Sequence, residues 1–580
     1  MNIRYTLSLA HINDTHSNFE ASTVQFSLEH QGCQYKINTK SGGYARLSFQ
    51  ISQARLAAQE NTMPFLFLHA GDSFQGTLYF REFQGSANAH LLNLLAPDAM
   101  VLGNHEIDAG NGPVQAFLNR IEFPLLAGNM DLSQEELTKP GRLAGHPMLY
   151  DYDAKLKLAK VILKPFHDTQ LAIIGITLDQ MALIARPDPD THFVDAIATT
   201  ARTVAHLKAQ GIHHIVVLSH LGLDQDRELA NSVPGISLIV GGHSHTLQGD
   251  FNALGLSQLA YGERQGGTAI VHAGKYAETL GLANIEFDQA GKLLSLTGNN
   301  FFMLGDELTI TSATDKAVPR QVEKRLSEQL RLHPGILNSE QDDALEHIIQ
   351  TQYRPALDAL ESQVLGQIPR DFVHTRLPSR HHPHGSEIAP WISRSMYKMA
   401  KKQLPELDFS LHNAGGVRQS LPKGQITMAD VLGRILPFEL PLVAYQIKGR
   451  HLFEVLENCI NAATNNGATG TGAGSFPYPY GIRYFYDGTQ ALGQRITKIE
   501  LHKQGHWQDI SADEHYTGVS TAYTASGKEG YHGLLNALWF KPLPKTTLPE
   551  AFVDFMGNHG HLLTETLTPN VYYIRHIHKG

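Results

Sequence analysis

The chain has 580 residues, of which 42% are hydrophobic and 18% charged, a composition typical of a soluble globular protein too long for one core. Its formal net charge of −9 argues against a dedicated nucleic-acid-binding protein, which would carry a basic stripe, so we expect no nucleic-acid polymer as partner. No run of about 18 apolar residues occurs, so we expect no membrane span.

Five motifs rich in histidine and aspartate follow apolar, strand-like runs in the N-terminal half. The runs are YTLSLA, FLFL, AMVL, IVVL and SLIV, and the motifs are HINDTH (11–16), AGDSFQG (70–76), GNHEID (103–108), SHLG (219–222) and GGHSHT (241–246). Polar residues that leave the ends of successive strands meet at one edge of a sheet, where α/β proteins place their sites. Asp, His and Asn together suit divalent metals such as Zn, Mn or Fe. The pattern predicts a two-metal hydrolase.

The candidate metal ligands are the seven polar side chains of these motifs: Asp14, His16, Asp72, Asn104, His220, His243 and His245. Alternate residues of a short extended segment face the same way, so we expect Asp14 and His16 to face one ion. Asp72 is the candidate bridging carboxylate between two ions about 3.5–4 Å apart. Among 32 histidines any single motif is weak, but the five together predict a dinuclear site.

Further elements follow in chain order. A helical pattern at 196–211 ends at a glycine and precedes the buried strand IHHIVVLSH, which indicates covered sheets. Val322, Leu326 and Leu330 recur every four residues in the polar stretch 313–336, which predicts a connecting helix that begins near Pro319. A second helical pattern covers 342–364, where Pro355 should interrupt it. We predict three parts: 1–312, a helical connector at 313–340, and a second domain at 341–580.

The motif set resembles the calcineurin-like metallophosphoesterases, and GNHEID with GGYARL (42–47) and VHAGKYA (271–277) resembles their 5′-nucleotidase branch. The resemblance implies an α/β protein: an N-terminal β-sandwich flanked by helices, a helical connector and a C-terminal mixed α/β 5′-nucleotidase domain. It also implies two divalent ions, of Zn, Mn, Co or Fe. Asp14, His16, Asp72 and His245 would hold one ion, and Asp72, Asn104, His220 and His243 the other.

His105 and Asp108 have a separate predicted role. His105 follows the candidate ligand Asn104, and Asp108 can accept its other N–H and fix the tautomer. The resemblance implies that this catalytic pair stabilises the transition state and assists the leaving group. The alternative is an aspartate that caps a helix beside a histidine without function.

The C-terminal stretches NAGGVR (413–418), QITMADVLGRILPFE (425–439) and AYTASGKEGYHG (522–533) resemble the substrate domain of the same family. The resemblance implies substrate contacts from Asn413 and Arg418, base stacking on Phe438 and Tyr523, and a ribose contact from Glu529. Glu529 is one methylene longer than the family's aspartate, and isolated aromatic residues would be core residues by default.

Two C-terminal segments have other interpretations. The loop at 379–393, with Arg380, His381, His382 and His384, is either a polar loop before a helix or an altered phosphate or ribose contact. The glycine-rich tract at 463–476 lacks the Gly-Lys-Ser/Thr of a phosphate-binding loop, which favours a mobile surface loop.

The predicted reaction is hydrolysis of a nucleoside 5′-monophosphate, with a water activated at the metal centre as the nucleophile. Alternatives are a UDP-sugar diphosphatase, a 2′,3′-cyclic-nucleotide phosphodiesterase with 3′-nucleotidase activity, a sulfur-ester hydrolase, or a non-enzymatic nucleotide-binding or adhesion protein. The expected partner is a small nucleotide, and the oligomeric state is open. The N-terminus does not resemble a signal peptide, so we expect a cytoplasmic protein, or a periplasmic or extracellular one if a leader has been removed.

Overall fold

The structure, a computed structural model, describes residues 4–312, 318–465 and 472–574. It divides into two compact units, Met1–Pro355 and Ala356–Gly580. Among the described helices, none has both the length and the apolar character needed to cross a membrane.

The first unit contains two large sheets. The first sheet has, in spatial order, the strands Ser22–His30, Cys33–Ser41, Leu293–Ser312, Thr279–Phe287, Tyr5–Ile12, Phe65–His69, Ala99–Val101, Leu125–Leu126 and Leu149–Tyr150, and Ile336–Asn338 pairs with Leu293–Ser312. The second has Val161–Phe166, Thr169–Thr177, His214–His220, Leu238–Gly241, Thr268–His272 and Glu263–Gln265. Short two-stranded pairs complete the unit: Met130–Asp131 with His192–Phe193, Tyr152–Asp153 with Leu158–Ala159, and Gly249–Asp250 with Gln258–Leu259.

The two sheets pack face to face over one apolar core. Leu7, Leu9 and Leu68 of the first sheet and Val216 and Val240 of the second are buried in the same cluster. Strands that are apolar on both faces must be shielded from water on both faces. On the outer face of the second sheet, apolar helix residues pack against the strands. The predicted β-sandwich flanked by helices is therefore confirmed.

Helices surround this sandwich. The α-helices of the first unit are Tyr44–Glu60, Leu78–Phe83, Ser86–Leu95, Asn111–Leu118, Met181–Ile184, Ala196–Ala209, Leu223–Ser232, Arg320–Arg331 and Asp343–Ile348, with a 3₁₀ turn at Asn252–Leu254. The helix predicted at 196–211 begins at an Asp195 cap and ends before Gly211, whose φ of 82° stops the helix.

The connecting helix forms where it was predicted, although part of the stretch, 313–317, lies outside the described residues. It spans Arg320–Arg331, and Leu326 and Leu330 are buried among strands of the first sheet. Asp342 then accepts a hydrogen bond of 2.7 Å from Ser48, so the start of the segment assigned to the second domain lies on the first unit. The predicted limits at 312 and 340 stay a prediction.

Pro355 interrupts the next helix as expected. A π-helical turn at Ile349–Tyr353 separates Asp343–Ile348 from the helix Arg354–Ser362, because proline cannot donate the regular backbone hydrogen bond.

The second unit is mixed α/β. Its five-stranded sheet has the order Pro477–Tyr480, Phe409–Asn413, His515–Thr521, Pro441–Lys448 and Trp539–Thr547, and its four-stranded sheet has His506–Asp509, Ile496–Lys503, Ile482–Asp487 and Val571–Ile574. Val364–Ile368 pairs with Gly424–Thr427. The helices are Ala389–Gln403, Gly449–Thr464, Ala522–Ala525 and Leu548–His559, with 3₁₀ turns at Ala414–Gly416, Ala473–Ser475, His532–Asn536 and Gly560–Thr564 and a π turn at Asp430–Ile435. Of the tract 463–476, predicted to be a mobile surface loop, residues 466–471 lie outside the described residues. Its described ends differ from the prediction, since Thr464 ends a helix and Ser475 and Phe476 are buried.

Candidate functional site

All five apolar runs correspond to strands, and each motif lies where its strand ends: three motifs begin within the last strand residues, and the other two follow their strands. The glycines of these motifs let the loops approach one another closely. A Cβ on Gly103 would lie 2.1 Å from Asp72 Oδ1, and one on Gly71 would lie 2.5 Å from His220 Nδ1. These two positions therefore exclude any side chain, and the carboxylate and the imidazole can come together at the edge of the sandwich.

Six of the seven candidate ligands lie on loops, and His220 is the last residue of its strand. The prediction that Asp14 and His16 sit on a short extended segment is wrong. The first strand ends at Ile12, and Asp14 and His16 adopt left-handed backbone conformations with φ of 50° and 48°. Asp72, His243 and His245 do the same, with φ of 58°, 74° and 54°. Such conformations cost free energy for non-glycine residues and concentrate at functional sites. The turned backbone, not strand alternation, aims these side chains at one point.

One group of candidate ligands consists of Asp14, His16 and His245. The His16 and His245 Nε2 atoms lie 3.0 Å apart, and Asp14 Oδ1 lies 3.4 Å from His245 Nε2 and 3.9 Å from His16 Nε2. Asp14 Oδ1 is buried and makes no well-formed hydrogen bond. Three donor atoms that converge on one point in this way can hold a metal ion.

A second group consists of Asp72, His220, His243 and Asn104. Asp72 Oδ2 lies 3.2 Å from His220 Nε2, and Asn104 Oδ1 lies 2.9 Å from His243 Nδ1. Asp72 also has donor atoms close to those of His16, so it lies between the two groups. The structure thus brings all seven candidate ligands together, and Asp72 has the place expected of a bridge.

Hydrogen bonds select the nitrogen that each histidine offers. His16 Nδ1 donates to the Phe74 carbonyl at 3.2 Å, and His220 Nδ1 donates to the Ala70 carbonyl at 2.7 Å. A neutral ring bonded in this way keeps a lone pair on Nε2. Burial lowers the pKa of His16 to about 4, which keeps that ring neutral. In both rings Nδ1 is occupied by a carbonyl, so Nε2 is the nitrogen that each ring can offer to a metal ion.

The donor set fits divalent cations. His220 Nε2 faces a carboxylate oxygen of Asp72 at 3.2 Å, a contact that either a proton on Nε2 or a cation between the two atoms would satisfy. Burial alone would lower the pKa of His220, but the Asp72 charge overrides it and raises that pKa to about 9. The same charge that attracts a proton there would attract a metal ion.

Glu106, in the middle of the GNHEID motif, fastens the two central loops to each other. Its buried carboxylate accepts hydrogen bonds from the backbone N–H groups of Asp72, Ser73 and Phe74 at 2.9, 2.6 and 3.0 Å, and from Gly103 at 2.8 Å. A carboxylate that receives several N–H donors is a strong anchor. We did not predict this residue, although an acidic side chain inside a buried motif is itself a signal.

His105 and Asp108 form the predicted pair. His105 Nδ1 donates to Asp108 Oδ2 at 2.5 Å, and the His105 backbone N–H donates to Asp72 Oδ1 at 2.9 Å. Burial would lower the pKa of His105, but the charges of Asp108 and Asp72 raise it to about 10. Its ring packs edge-on against His16 at 5.1 Å between centroids. The imidazole is therefore oriented beside the candidate ligands, and together with His16 and Asp72 it forms a further group of side chains that could hold a metal ion.

The second unit brings its predicted substrate residues together. Asn413 Nδ2 donates to Glu529 Oε2 at 3.0 Å, and Tyr523 also hydrogen-bonds Glu529. Burial raises the pKa of Glu529, and the charges of Arg376 and Arg418 counter it only in part. The Glu529 backbone has a left-handed φ of 50°. Arg376, which we did not predict, belongs to this group of side chains.

Arg418 and Phe438 form a neighbouring pair. The Arg418 guanidinium lies 5.5 Å from the centre of the Phe438 ring, within the range of a cation–π contact. Phe438 and Tyr523 are each only partly buried, unlike core aromatic residues. In the histidine-bearing loop, Arg380, His381 and His384 are all exposed, and His384 donates to the Val571 carbonyl at 2.8 Å and packs on Tyr572.

Comparison with known proteins places this geometry in a family. A family model of calcineurin-like phosphoesterases matches residues 7–247, and one of the 5′-nucleotidase C-terminal domain matches residues 364–536. The NAD 5′-nucleotidase of Haemophilus influenzae is 30% identical over 96% of this chain and 90% of its own length. The chain belongs to the 5′-nucleotidase family.

Other 5′-nucleotidases agree with this assignment. The crystal structure of a 5′-nucleotidase precursor from Thermus thermophilus superimposes with a TM-score of 0.70, at 28% identity, over 98% of this chain and 99% of that one. The human 5′-nucleotidase is 26% identical over 92% of this chain and 85% of its own length. The chain is thus a metal-dependent phosphoester hydrolase of the 5′-nucleotidase type, as predicted, with a C-terminal 5′-nucleotidase domain.

Proposed function

We propose that this 5′-nucleotidase removes phosphate from nucleoside 5′-monophosphates at a centre of two divalent ions. Asp14, His16, Asp72 and His245 would hold one ion, and Asp72, Asn104, His220 and His243 the other. The convergence of these seven side chains, with Asp72 between the two groups, is the observation that carries the proposal. The identity of the ions, Zn, Mn, Co or Fe, remains part of the proposal.

Two such ions, when bound, polarise phosphoryl oxygens and make water nucleophilic near neutral pH. In the proposed reaction the oxygen of a water molecule adds to phosphorus, the bond from phosphorus to the nucleoside oxygen breaks, and that oxygen gains a proton. His105 would have two roles in this reaction. Its Nδ1 is hydrogen-bonded to Asp108, so its Nε2 is the nitrogen available to substrate. An N–H at that position can donate to the negative charge that develops on the phosphoryl group and can protonate the departing nucleoside oxygen.

The nucleoside contacts are proposed for the second unit. Glu529, which accepts from Asn413 and Tyr523, offers its carboxylate to a ribose hydroxyl, and Asn413 offers its amide. Phe438 and Tyr523 offer ring faces to a base, a mode that tolerates different bases. Arg418, steadied over Phe438, offers its planar fork to polar or anionic groups of substrate.

A substrate panel tests the proposal. Phosphate release from AMP, UMP, UDP-glucose, 2′,3′-cyclic AMP and 3′-AMP is measured with Mn, Zn, Co and Mg, with p-nitrophenyl phosphate as a substrate that has no nucleoside. We expect AMP or UMP to give the highest kcat/KM. A preference for the cyclic or 3′-nucleotide, or a rate with p-nitrophenyl phosphate equal to that with AMP, would contradict the proposal.

A second candidate substrate class has a specific observation in its favour. The Haemophilus influenzae relative is named for NAD, a dinucleotide joined by a pyrophosphate. Beside the candidate metal centre of this chain lies a lysine, Lys275, that could contact a second phosphate.

A further inference from the structure

Lys275 and Tyr276, in the segment VHAGKYA, lie beside the candidate metal centre without belonging to it. The Tyr276 ring packs edge-on against two candidate ligands, 5.7 Å from the His16 ring and 5.8 Å from the His245 ring. Lys275 Nζ lies 4.5 Å from the centre of the Tyr276 ring, a cation–π contact. A single aromatic ring therefore separates an ammonium group from the candidate ligands.

The loop that carries this pair is firmly held to the ligand loops. Asn13 Nδ2 donates to the Gly274 carbonyl at 2.7 Å, and the Tyr276 N–H donates to the Asp14 carbonyl at 2.8 Å. Gly274 N–H donates to the Thr246 carbonyl at 2.9 Å, next to His245. Tyr276 itself has a left-handed φ of 57°. Hydrogen bonds to both ligand loops maintain this strained conformation, so the backbone that carries Lys275 has a fixed position relative to the candidate ligands.

Among the described residues, no carboxylate lies within ion-pairing distance of Lys275 Nζ, so the ammonium group forms no ion pair there. Glu278, on the same loop, is close enough for the Lys275 charge to act against the burial that raises its pKa, but it does not pair with the lysine. Lys275 is half-buried, so it remains open to a ligand. A lysine placed in this way is a point charge suited to phosphate oxygens.

We propose that Lys275, steadied over the Tyr276 ring, is a specificity-determining residue that contacts the anionic group next to the phosphate at the metal centre. A nucleoside monophosphate has no such group, whereas a nucleoside diphosphate or a dinucleotide carries a second phosphate there. Lys275 thus strengthens the binding of ligands with a pyrophosphate linkage relative to monophosphates that lack the second phosphate. The inference rests on the proposed metal centre, and on the proposed nucleotide substrate only for the choice of probes.

The test compares two competitors of one reporter reaction. Hydrolysis of p-nitrophenyl phosphate is measured in the presence of AMP or of adenosine 5′-(α,β-methylene)diphosphate, whose second phosphate cannot be removed by hydrolysis. In Lys275→Met we expect the inhibition constant of the methylene diphosphate to rise about fivefold more than that of AMP, the size of one partly exposed charge contact. Lys275→Arg should retain most of the difference. The matched control is Lys155→Met, which removes an exposed lysine on a turn.

Equal changes for the two competitors in Lys275→Met, or no change for either, would overturn the inference. The result is separable from the nucleotidase assignment, because the reporter has no nucleoside. If the wild-type protein released no phosphate from AMP, the proposed function would fail while the comparison of competitors could still be read.

A double-mutant cycle separates ligand binding from a local role. If Lys275 served only to offset the charge of Glu278, the effect of Lys275→Met would disappear in a Glu278→Gln background. We expect the selective loss of methylene diphosphate binding to persist there. Its disappearance would assign Lys275 to the internal electrostatics of the loop and overturn the inference.

Discussion

Single hydrogen bonds decide which atoms of the candidate metal centre are free to bind. Motif spacing was enough to predict the seven ligands, because each follows an apolar strand and α/β sites form at strand ends. It was not enough to predict that His16 offers Nε2, since this depends on a bond to the Phe74 carbonyl, from a loop distant in sequence. The role of Glu106 could not be predicted either, because its hydrogen-bond partners are backbone N–H groups of two loops that are separate in sequence.

His105 should affect the rate without affecting metal binding. In His105→Asn we expect kcat to fall roughly 10²- to 10⁴-fold, because the group that bonds the developing charge and protonates the leaving oxygen is lost. Metal content should stay at the wild-type level, since we assign the His105 ring to the substrate and not to a metal ion. The checks are steady-state kinetics and metal analysis on the same preparation. Loss of metal together with activity would instead make His105 a ligand.

At the level of strands and loops, the apolar runs predicted the strands well and the loops poorly. A short run such as FLFL, apolar on both faces, is typical of a strand that is covered on both sides, so the strand Phe65–His69 could be predicted from the sequence. The loops were misread because a spacing of two suggests alternation along a strand, whereas Asp14 and His16 owe their directions to left-handed backbone angles. Tertiary contacts impose these backbone angles, and no periodic pattern in the sequence indicates them.

The loop contacts can be tested with two matched glycine substitutions. Gly103→Ala would place a Cβ 2.1 Å from Asp72 Oδ1, so we expect the loops to separate and kcat/KM to fall by roughly 10²-fold. Gly112→Ala is the control: its Cβ would meet nothing within 4 Å, and alanine in a helix is more stable than glycine by up to about 1 kcal/mol. Thermal unfolding and kinetics of both variants are the measurements. Equal effects would show that the close approach at Gly103 does not matter.

His412, on the strand that ends at Asn413, is expected to make the stability of the second unit depend on pH. Burial lowers the pKa of His412 to about 3 and that of the neighbouring His374 to about 4, below the ordinary value of 6.5. The unfolded chain therefore binds more protons than the folded chain between pH 6.5 and 3. The stability that these groups contribute is complete above pH 6.5 and is lost as the pH falls through this window.

We expect the urea midpoint of the wild-type protein to fall between pH 7 and pH 5, and to fall less in His412→Asn, whose side chain does not titrate. The change with pH is the readout, so a general loss of stability in the variant does not obscure it. His515→Asn, at an exposed position, should behave like the wild-type protein. An identical pH dependence in His412→Asn would exclude this histidine as a source of acid sensitivity.

For the complete chain, length and composition predicted more than one core but not where the cores divide. The polar connecting helix was readable, yet Leu326 and Leu330 bury themselves among N-terminal strands. The start of the segment assigned to the second domain likewise bonds to the helix Tyr44–Glu60. The spacing of the apolar residues predicts a helix, but it does not specify the strands against which those residues pack. The family assignment rests on both units, since separate family models match each.

The number of bound ions tests the central claim most directly. Metal analysis after equilibration with Mn or Zn and removal of free ion should give two ions per wild-type chain. Asp72→Asn should hold at most one and lose phosphate release, whereas Asp224→Asn, whose side chain is 96% exposed, should keep both ions. Fewer than two ions in the wild-type chain, or two ions retained in Asp72→Asn, would contradict a dinuclear centre bridged by Asp72.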